Sequence, residues 1–86
     1  MEPVPPFWFR QRQGKMEAAG ENTFKLTAPN LGEAYIAIRP TLDGRWTGVL
    51  LQTANGPELA STTPSYEDPQ DAWQAAFELH RTHFVT

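Results

Sequence analysis

The stretch LDGRWTGVLLQTANGPELAST, residues 42–62, contains two tight-turn signals that enclose an apolar segment. Asp43-Gly44 and Asn55-Gly56 are residue pairs that supply the positive φ angles of short hairpin turns. The apolar, β-branched segment between them is typical of a buried strand. An apolar run precedes this segment at residues 34–39, and a short, more polar run follows it at residues 58–62. The three runs and the two turns predict a three-stranded antiparallel meander over residues 34–62.

Residues 23–27, TFKLT, predict a fourth strand because Phe24 and Leu26 alternate with Lys25. Gly48 interrupts the central strand and indicates either a bulge or a close backbone contact. Residues 16–19, MEAA, fit a helical turn as well as a strand. The antiparallel strands are therefore predicted within residues 23–62, and the structure of residues 16–19 stays open.

The segment from 69 to 83 predicts an amphipathic helix. Asp68 is a suitable N-cap, and Pro69 suits the first helical position. The apolar side of this helix consists of Ala72, Trp73, Ala76, Phe77, His80, His83 and Phe84. We therefore predict an α+β fold: a two-layer sandwich in which one C-terminal helix packs on one face of a three- to four-stranded antiparallel sheet.

The composition predicts a single small domain over residues 1–86, with 40% hydrophobic residues and three tryptophans. The absence of cysteine excludes a disulfide framework and a thiolate zinc site. No segment approaches the roughly 20 apolar residues of a membrane span, and the proline-rich start does not resemble a signal peptide. We expect a soluble, cytoplasmic protein that does not bind membranes.

The net charge of −3 is distributed unevenly along the chain. Residues 1–15 hold three basic residues against Glu2, a net charge of +2, whereas the remainder has a net charge of −5. Nucleic-acid binding normally requires the neutralisation of several phosphates, which an acidic body opposes. Only the N-terminal segment has the charge for such a role.

This N-terminal arm, residues 1–15, contains PPFWFRQRQGK at positions 5–15 and is predicted as an arm or an edge strand. Aromatic residues with interleaved arginines can stack on bases and contact phosphates. The same residues can join the core of the domain, or pair with another chain by strand addition. The candidate partner-binding residues of the arm are Phe7, Trp8, Phe9, Arg10, Arg12 and Lys15.

Tyr35 and Trp46 lie on neighbouring predicted strands and complete the set of candidate partner-binding residues. If both lie on the sheet face away from the helix, they form an exposed aromatic patch; the alternative is burial in the core. The run VLL, residues 49–51, cannot face one side only, so the second face of the sheet is expected to be partly covered. The arm or a second copy of the chain could cover it.

His80 and His83 are separated by one helical turn and could share a metal ion or act as acid and base. The sequence offers neither further ligands in a recognisable spacing nor a nucleophile motif around its serines and threonines. We expect His80 to be packed in the core with a lowered pKa, and His83 to be more exposed to water. No enzymatic activity, metal ion or cofactor is predicted.

Residues 45–79 resemble the YegP-like family of small bacterial domains. The resemblance rests on Asn55-Gly56, on Leu59, Ala60 and Ser61, and on Tyr66 and Ala72. The segment AYIAIRPTLDGRW, residues 34–46, also resembles antitoxins of the HicB type, which have a β-β-β-α fold similar to part of a double-stranded-RNA-binding domain. These resemblances imply a sheet followed by a helix and say little about activity.

From these patterns we expect a non-catalytic binding or interaction module that acts through an exposed sheet edge or through the N-terminal arm. The expected partner is another protein or a second copy of the chain, since so small a core gains stability from association. Nucleic-acid binding by the arm is the less favoured alternative. A third is an antitoxin-like or inhibitor-like role, in which the acidic body opposes a basic partner.

Overall fold

A computed structural model describes residues 3–29, 32–53, 56–62 and 65–85 of the chain. Its elements are, in chain order, α1 (Phe7–Gln11), β1 (Lys15–Gly20), β2 (Thr23–Ala28), β3 (Gly32–Pro40), β4 (Trp46–Leu51), β5 (Glu58–Ser61) and α2 (Pro69–His80). A π-helical turn over Arg81–Val85 follows α2. The C-terminal helical segment therefore begins at the predicted residue.

The strands form one antiparallel sheet in the order β1-β2-β3-β4-β5. Ile36 lies opposite Phe24 on one side and Leu50 on the other, at the centre of the sheet. Gly44 adopts the expected positive φ, 83°, between β3 and β4, whereas Asn55 lies outside the described residues. The predicted meander and the fourth strand are confirmed, and β1 adds a fifth strand.

Helix α2 packs on one face of this sheet and completes the main core. Trp73 is fully buried, and its ring centroid lies 5.5 Å from that of Phe24 in an edge-to-face arrangement. At the start of α2, the carboxylate of Asp68 accepts a hydrogen bond from the backbone N–H of Gln70 at 2.9 Å, which confirms the predicted N-cap. The two-layer α+β architecture follows from this packing.

Gly48 marks the place where α2 lies closest to the sheet. A Cβ atom at this position would lie 2.7 Å from the carbonyl oxygen of Ala72 and 3.1 Å from the Cβ of Ala76. Gly48 is also paired with Ile38 in the regular β3–β4 ladder. Of the two predicted explanations for this glycine, the structure shows the close contact.

The N-terminal segment differs from the predicted arm or edge strand, because residues 7–11 form the short helix α1. The carbonyl of Pro6 accepts hydrogen bonds from the backbone N–H groups of Phe9 and Arg10, both at 3.1 Å. The edge strand begins only at Lys15. An alternating pattern over so few residues does not distinguish a strand from a helical turn, which explains the error.

The second face of the sheet carries a smaller apolar cluster formed by Ala37, Val49 and Leu51, with Tyr35 packed against it. The run at residues 49–51 therefore does point to both faces, as its sequence requires. In the described part of the arm, Trp8 and Phe9 pack against the core on the helix side and not against this cluster. The sequence left two possible covers open, the arm and a second copy of the chain, and the structure does not bear out the first.

Candidate interaction surface

Phe9 fixes α1 onto the domain. Its side chain is buried, and its ring centroid lies 5.5 Å from that of Phe77 and 5.9 Å from that of His80. The ring also lies over Gly14, where an added Cβ would come within 2.5 Å of it. Because Phe9 contacts α2 on one side and Gly14, the residue before β1, on the other, α1 has a defined position on the domain.

Trp8 makes a second contact to the end of α2. Its ring is stacked on the imidazole of His80, with a centroid distance of 6.0 Å and an interplanar angle of 17°. The indole N–H is buried and has no hydrogen-bond partner among the described residues. Trp8 is thus part of the packing of the domain and is partly buried.

The remaining candidates of the arm face the solvent. Phe7 is 68% exposed, and the side chains of Arg10, Arg12 and Lys15 are exposed as well. None of these three cations forms an ion pair with a residue that the structure describes. We refer to Phe7, Arg10, Arg12 and Lys15 as the basic surface.

The basic residues elsewhere in the chain are all engaged. Lys25 pairs with Glu33 at 3.2 Å, and this carboxylate raises the pKa of Lys25 through a hydrogen bond and its charge. The other three cations also have carboxylate partners: Arg39 with Glu58, Arg45 with Asp43 and Glu67, and Arg81 with Glu78. Unpaired positive charge in the described residues is therefore concentrated on the basic surface.

Strand β1 forms an edge of the sheet next to this surface. Five of its six residues are exposed, and among the described strands it pairs with β2 alone. A hollow of about 340 Å³ lies at the start of the strand, lined by Gln13, Lys15 and residues 27–29. The sequence left this strand undetermined, because MEAA contains no β-branched or aromatic residue that signals a strand.

The aromatic patch of Tyr35 and Trp46 does not exist, because the two side chains lie on opposite faces. Trp46 packs against the core on the helix side, whereas Tyr35 packs against the smaller cluster. Trp46 lies opposite Pro40 and Tyr35 opposite Leu51, at the two ends of the β3–β4 ladder. Trp46 instead borders a pocket of about 400 Å³ beside the turn at residues 21–22.

The two histidines of the C-terminal helical segment have different surroundings. His80 is buried, its Nδ1 has no hydrogen-bond partner among the described residues, and burial lowers its pKa to about 4. His83 is exposed, and its Nδ1 lies 3.1 Å from the carbonyl of Leu79, which accepts the hydrogen bond. The position of His80 in the core and the exposure of His83 confirm the expected difference between the two rings, and the lowered pKa of His80 follows from its burial.

In the part of the chain that the structure describes, no three histidine or carboxylate side chains come together as metal ligands would. No helix in that part is long and apolar enough to cross a membrane. Comparisons of the chain with protein-family models, curated proteins and solved structures found no match. The resemblance to YegP-like and HicB-type domains therefore stays a prediction, and the function must be inferred from the basic surface and the edge strand.

Proposed function

We propose that the protein is a non-catalytic interaction module that binds an acidic segment of a partner protein through its basic surface. The observation that carries the proposal is the separation of charge: cations of the main body are paired with carboxylates, whereas Arg10, Arg12 and Lys15 are not paired with described residues. Unpaired guanidinium groups are suited to bidentate contacts with carboxylates.

The packing of α1 supports the proposal. Phe9 and Trp8 hold this helix against α2, so Arg10 and Arg12 begin at defined backbone positions. Binding then orders only the arginine side chains, and the entropic cost is smaller than for a free arm. The exposed ring of Phe7 adds apolar contact area beside the charges.

The charge of the rest of the chain supports a protein partner over a nucleic acid. The main body has a net charge of −5 and repels an extended polyanion, whereas a short acidic peptide segment meets the basic surface alone. One observation favours the alternative: Phe7 and Arg10 are one helical turn apart, and such a pair can stack on a base and contact a phosphate. The binding of an acidic peptide and of a nucleic acid can be compared in the same assay.

The test measures the binding of a fluorescent glutamate-rich peptide and of an oligothymidylate of equal charge by fluorescence anisotropy. The intact protein should bind the peptide more tightly, and the affinity should fall with added salt. The variant R10E/R12E should lose roughly tenfold or more in affinity. The matched control is R39E/R81E, which makes the same change in net charge at two exposed and paired arginines, and it should bind the peptide like the intact protein.

Three results would reject the proposal. They are the absence of peptide binding at low salt, tighter binding of the oligothymidylate than of the peptide, and an equal loss of peptide affinity in R10E/R12E and R39E/R81E. The second result would assign the basic surface to nucleic acid. Circular dichroism of each variant establishes that a loss of binding does not reflect unfolding.

A further inference from the structure

We propose that two copies of the chain pair antiparallel through β1, with Lys15 of one copy opposite Glu17 of the other. This inference goes beyond the proposed function, since it concerns the sheet edge and holds whether or not an acidic partner exists. The pairing joins the two sheets into a single continuous one.

Strand β1 is the more open of the two edges of the sheet. It has six residues without proline, and no described segment pairs with its outer side. The opposite edge, β5, has four residues, follows Pro57, and has an irregular register with β4. Short strands, prolines and bulges are the features that protect an edge from pairing, and the outer side of β1 lacks them over its first four residues.

The register follows from where β1 is regular. Its pairing with β2 is continuous from Lys15 to Ala18 and shifts between Ala18 and Gly20. A two-fold axis at Met16 uses this regular part and places Lys15 opposite Glu17 of the other copy, twice. An axis at Glu17 would instead bring the two Glu17 carboxylates together, and like charges directly opposite each other are destabilising.

Both charges are available for this contact. Glu17 lies opposite Lys25 within the sheet, and its charge contributes to the raised pKa of Lys25, but the ammonium group of Lys25 forms its ion pair with Glu33. Lys15 lies opposite Thr27, which offers no charge. Neither Lys15 nor Glu17 forms an ion pair with a described residue, so the pairing replaces no ion pair within the chain.

The side chains of β1 also lie on the faces of the sheet that this pairing requires. The side chain of Met16 packs against the core on the helix side, and Lys15 and Glu17 point to the other face because side chains alternate along a strand. In a symmetric pair, the Met16 side chains of both copies meet at the axis and extend the two cores toward each other. Lys15 then belongs to the dimer contact, which leaves Arg10 and Arg12 as the free charges of the basic surface.

A cysteine crosslink tests the register, because the chain has no cysteine of its own. The variant M16C places two thiols directly opposite each other across the axis, at a Cα separation of roughly 4.5–5.5 Å that a disulfide accepts. M16C should form a covalent dimer under mild oxidation. The control A18C lies opposite residue 14 of the other copy in this register and should stay uncrosslinked.

Charge reversal combined with sedimentation equilibrium tests the ion pairs. Each single variant, K15E or E17K, should weaken the dimer roughly tenfold or more, and the double variant K15E/E17K should restore it. Three outcomes would overturn the proposal. They are a protein that stays monomeric at its highest soluble concentration, a crosslink in A18C but not in M16C, and a double variant whose dimer is no more stable than the dimers of the single variants. R10E/R12E separates this result from the proposed function, since it should lose peptide binding and keep the dimer.

Discussion

The imidazole of His80 lies nearly parallel to the indole of Trp8, at a centroid distance of 6.0 Å and an angle of 17°. The ring of Phe84 stacks on the same imidazole at 5.3 Å, and that of Phe9 meets it edge-on at 5.9 Å. These contacts join the first helix of the chain to the end of the last one. The N-terminal segment is therefore part of the core, although it also carries the basic surface.

Replacing Phe9 by alanine should destabilise the whole domain. The ring is buried against Phe77 and His80, and deleting a buried phenylalanine side chain costs roughly 3–5 kcal/mol in proteins. For a domain of this size the loss should be visible in the free energy of unfolding by urea. F7A is the matched control, because Phe7 is 68% exposed; it should change stability by less than about 0.5 kcal/mol.

Stability should decrease as the pH falls from about 6.5 to about 4, in part because of His80. Burial lowers the pKa of this group to about 4 in the folded protein, against 6.5 as the ordinary value. The unfolded chain therefore binds the proton first over this range, which favours unfolding, and below about pH 4 both states are protonated and the effect is complete. Its full size should be roughly 3 kcal/mol, because each pKa unit between the folded and unfolded values corresponds to about 1.4 kcal/mol.

The variant H80L isolates this effect from the titration of carboxylates. Leucine is close in size to histidine and removes a buried ring nitrogen that lacks a partner among the described residues. Urea unfolding of both proteins at several pH values should give a difference in stability that grows as the pH falls from 6.5 to 4. A difference that does not change with pH would show that His80 does not titrate in this range.

The elements that were predictable from the sequence are those with strong local signals. Asp68 and Pro69 marked the start of α2 because an exposed helix end needs an acceptor for its amide groups. Gly44 marked the turn before β4 because few other residues adopt a positive φ readily. Such signals act within a few residues, so they do not depend on the rest of the fold.

The candidate site was less predictable, because it depends on contacts between distant segments. The burial of Phe9 beneath α2 and the exposure of Phe7 are decided by tertiary packing, and the two residues are chemically identical in the sequence. Likewise, whether Tyr35 and Trp46 share a face of the sheet could be decided only if the register of β3 and β4 were known, and the register places them on opposite faces. Which cations stay unpaired also depends on where the carboxylates of other strands lie.

The substitution G48A should destabilise the domain because α2 lies too close to β4 for a methyl group. The added Cβ would lie 2.7 Å from the backbone carbonyl of Ala72, and neither a strand nor a helix backbone can move away easily. Overpacking of this kind costs typically about 1–3 kcal/mol. The control G44N, in an open turn with a φ of 83°, should cost little because asparagine tolerates this conformation. An equal loss of stability in G48A and G44N would argue against a close contact between α2 and β4 at Gly48.

The substitution D68A should lower the stability by about 1 kcal/mol because it removes the side-chain acceptor at the start of α2. The carboxylate of Asp68 accepts from the backbone N–H of Gln70 at 2.9 Å, and alanine leaves this N–H without its partner. D68N should retain most of the stability, since an amide oxygen can also accept the bond. The exposed neighbour Glu67 supplies the control: E67A breaks only its surface ion pair with Arg45 and should cost less than about 0.5 kcal/mol. Thermal unfolding followed by circular dichroism would compare the stability of the unmodified protein, D68A, D68N and E67A. If D68N is as unstable as D68A, the charge of Asp68 matters more than its hydrogen bond.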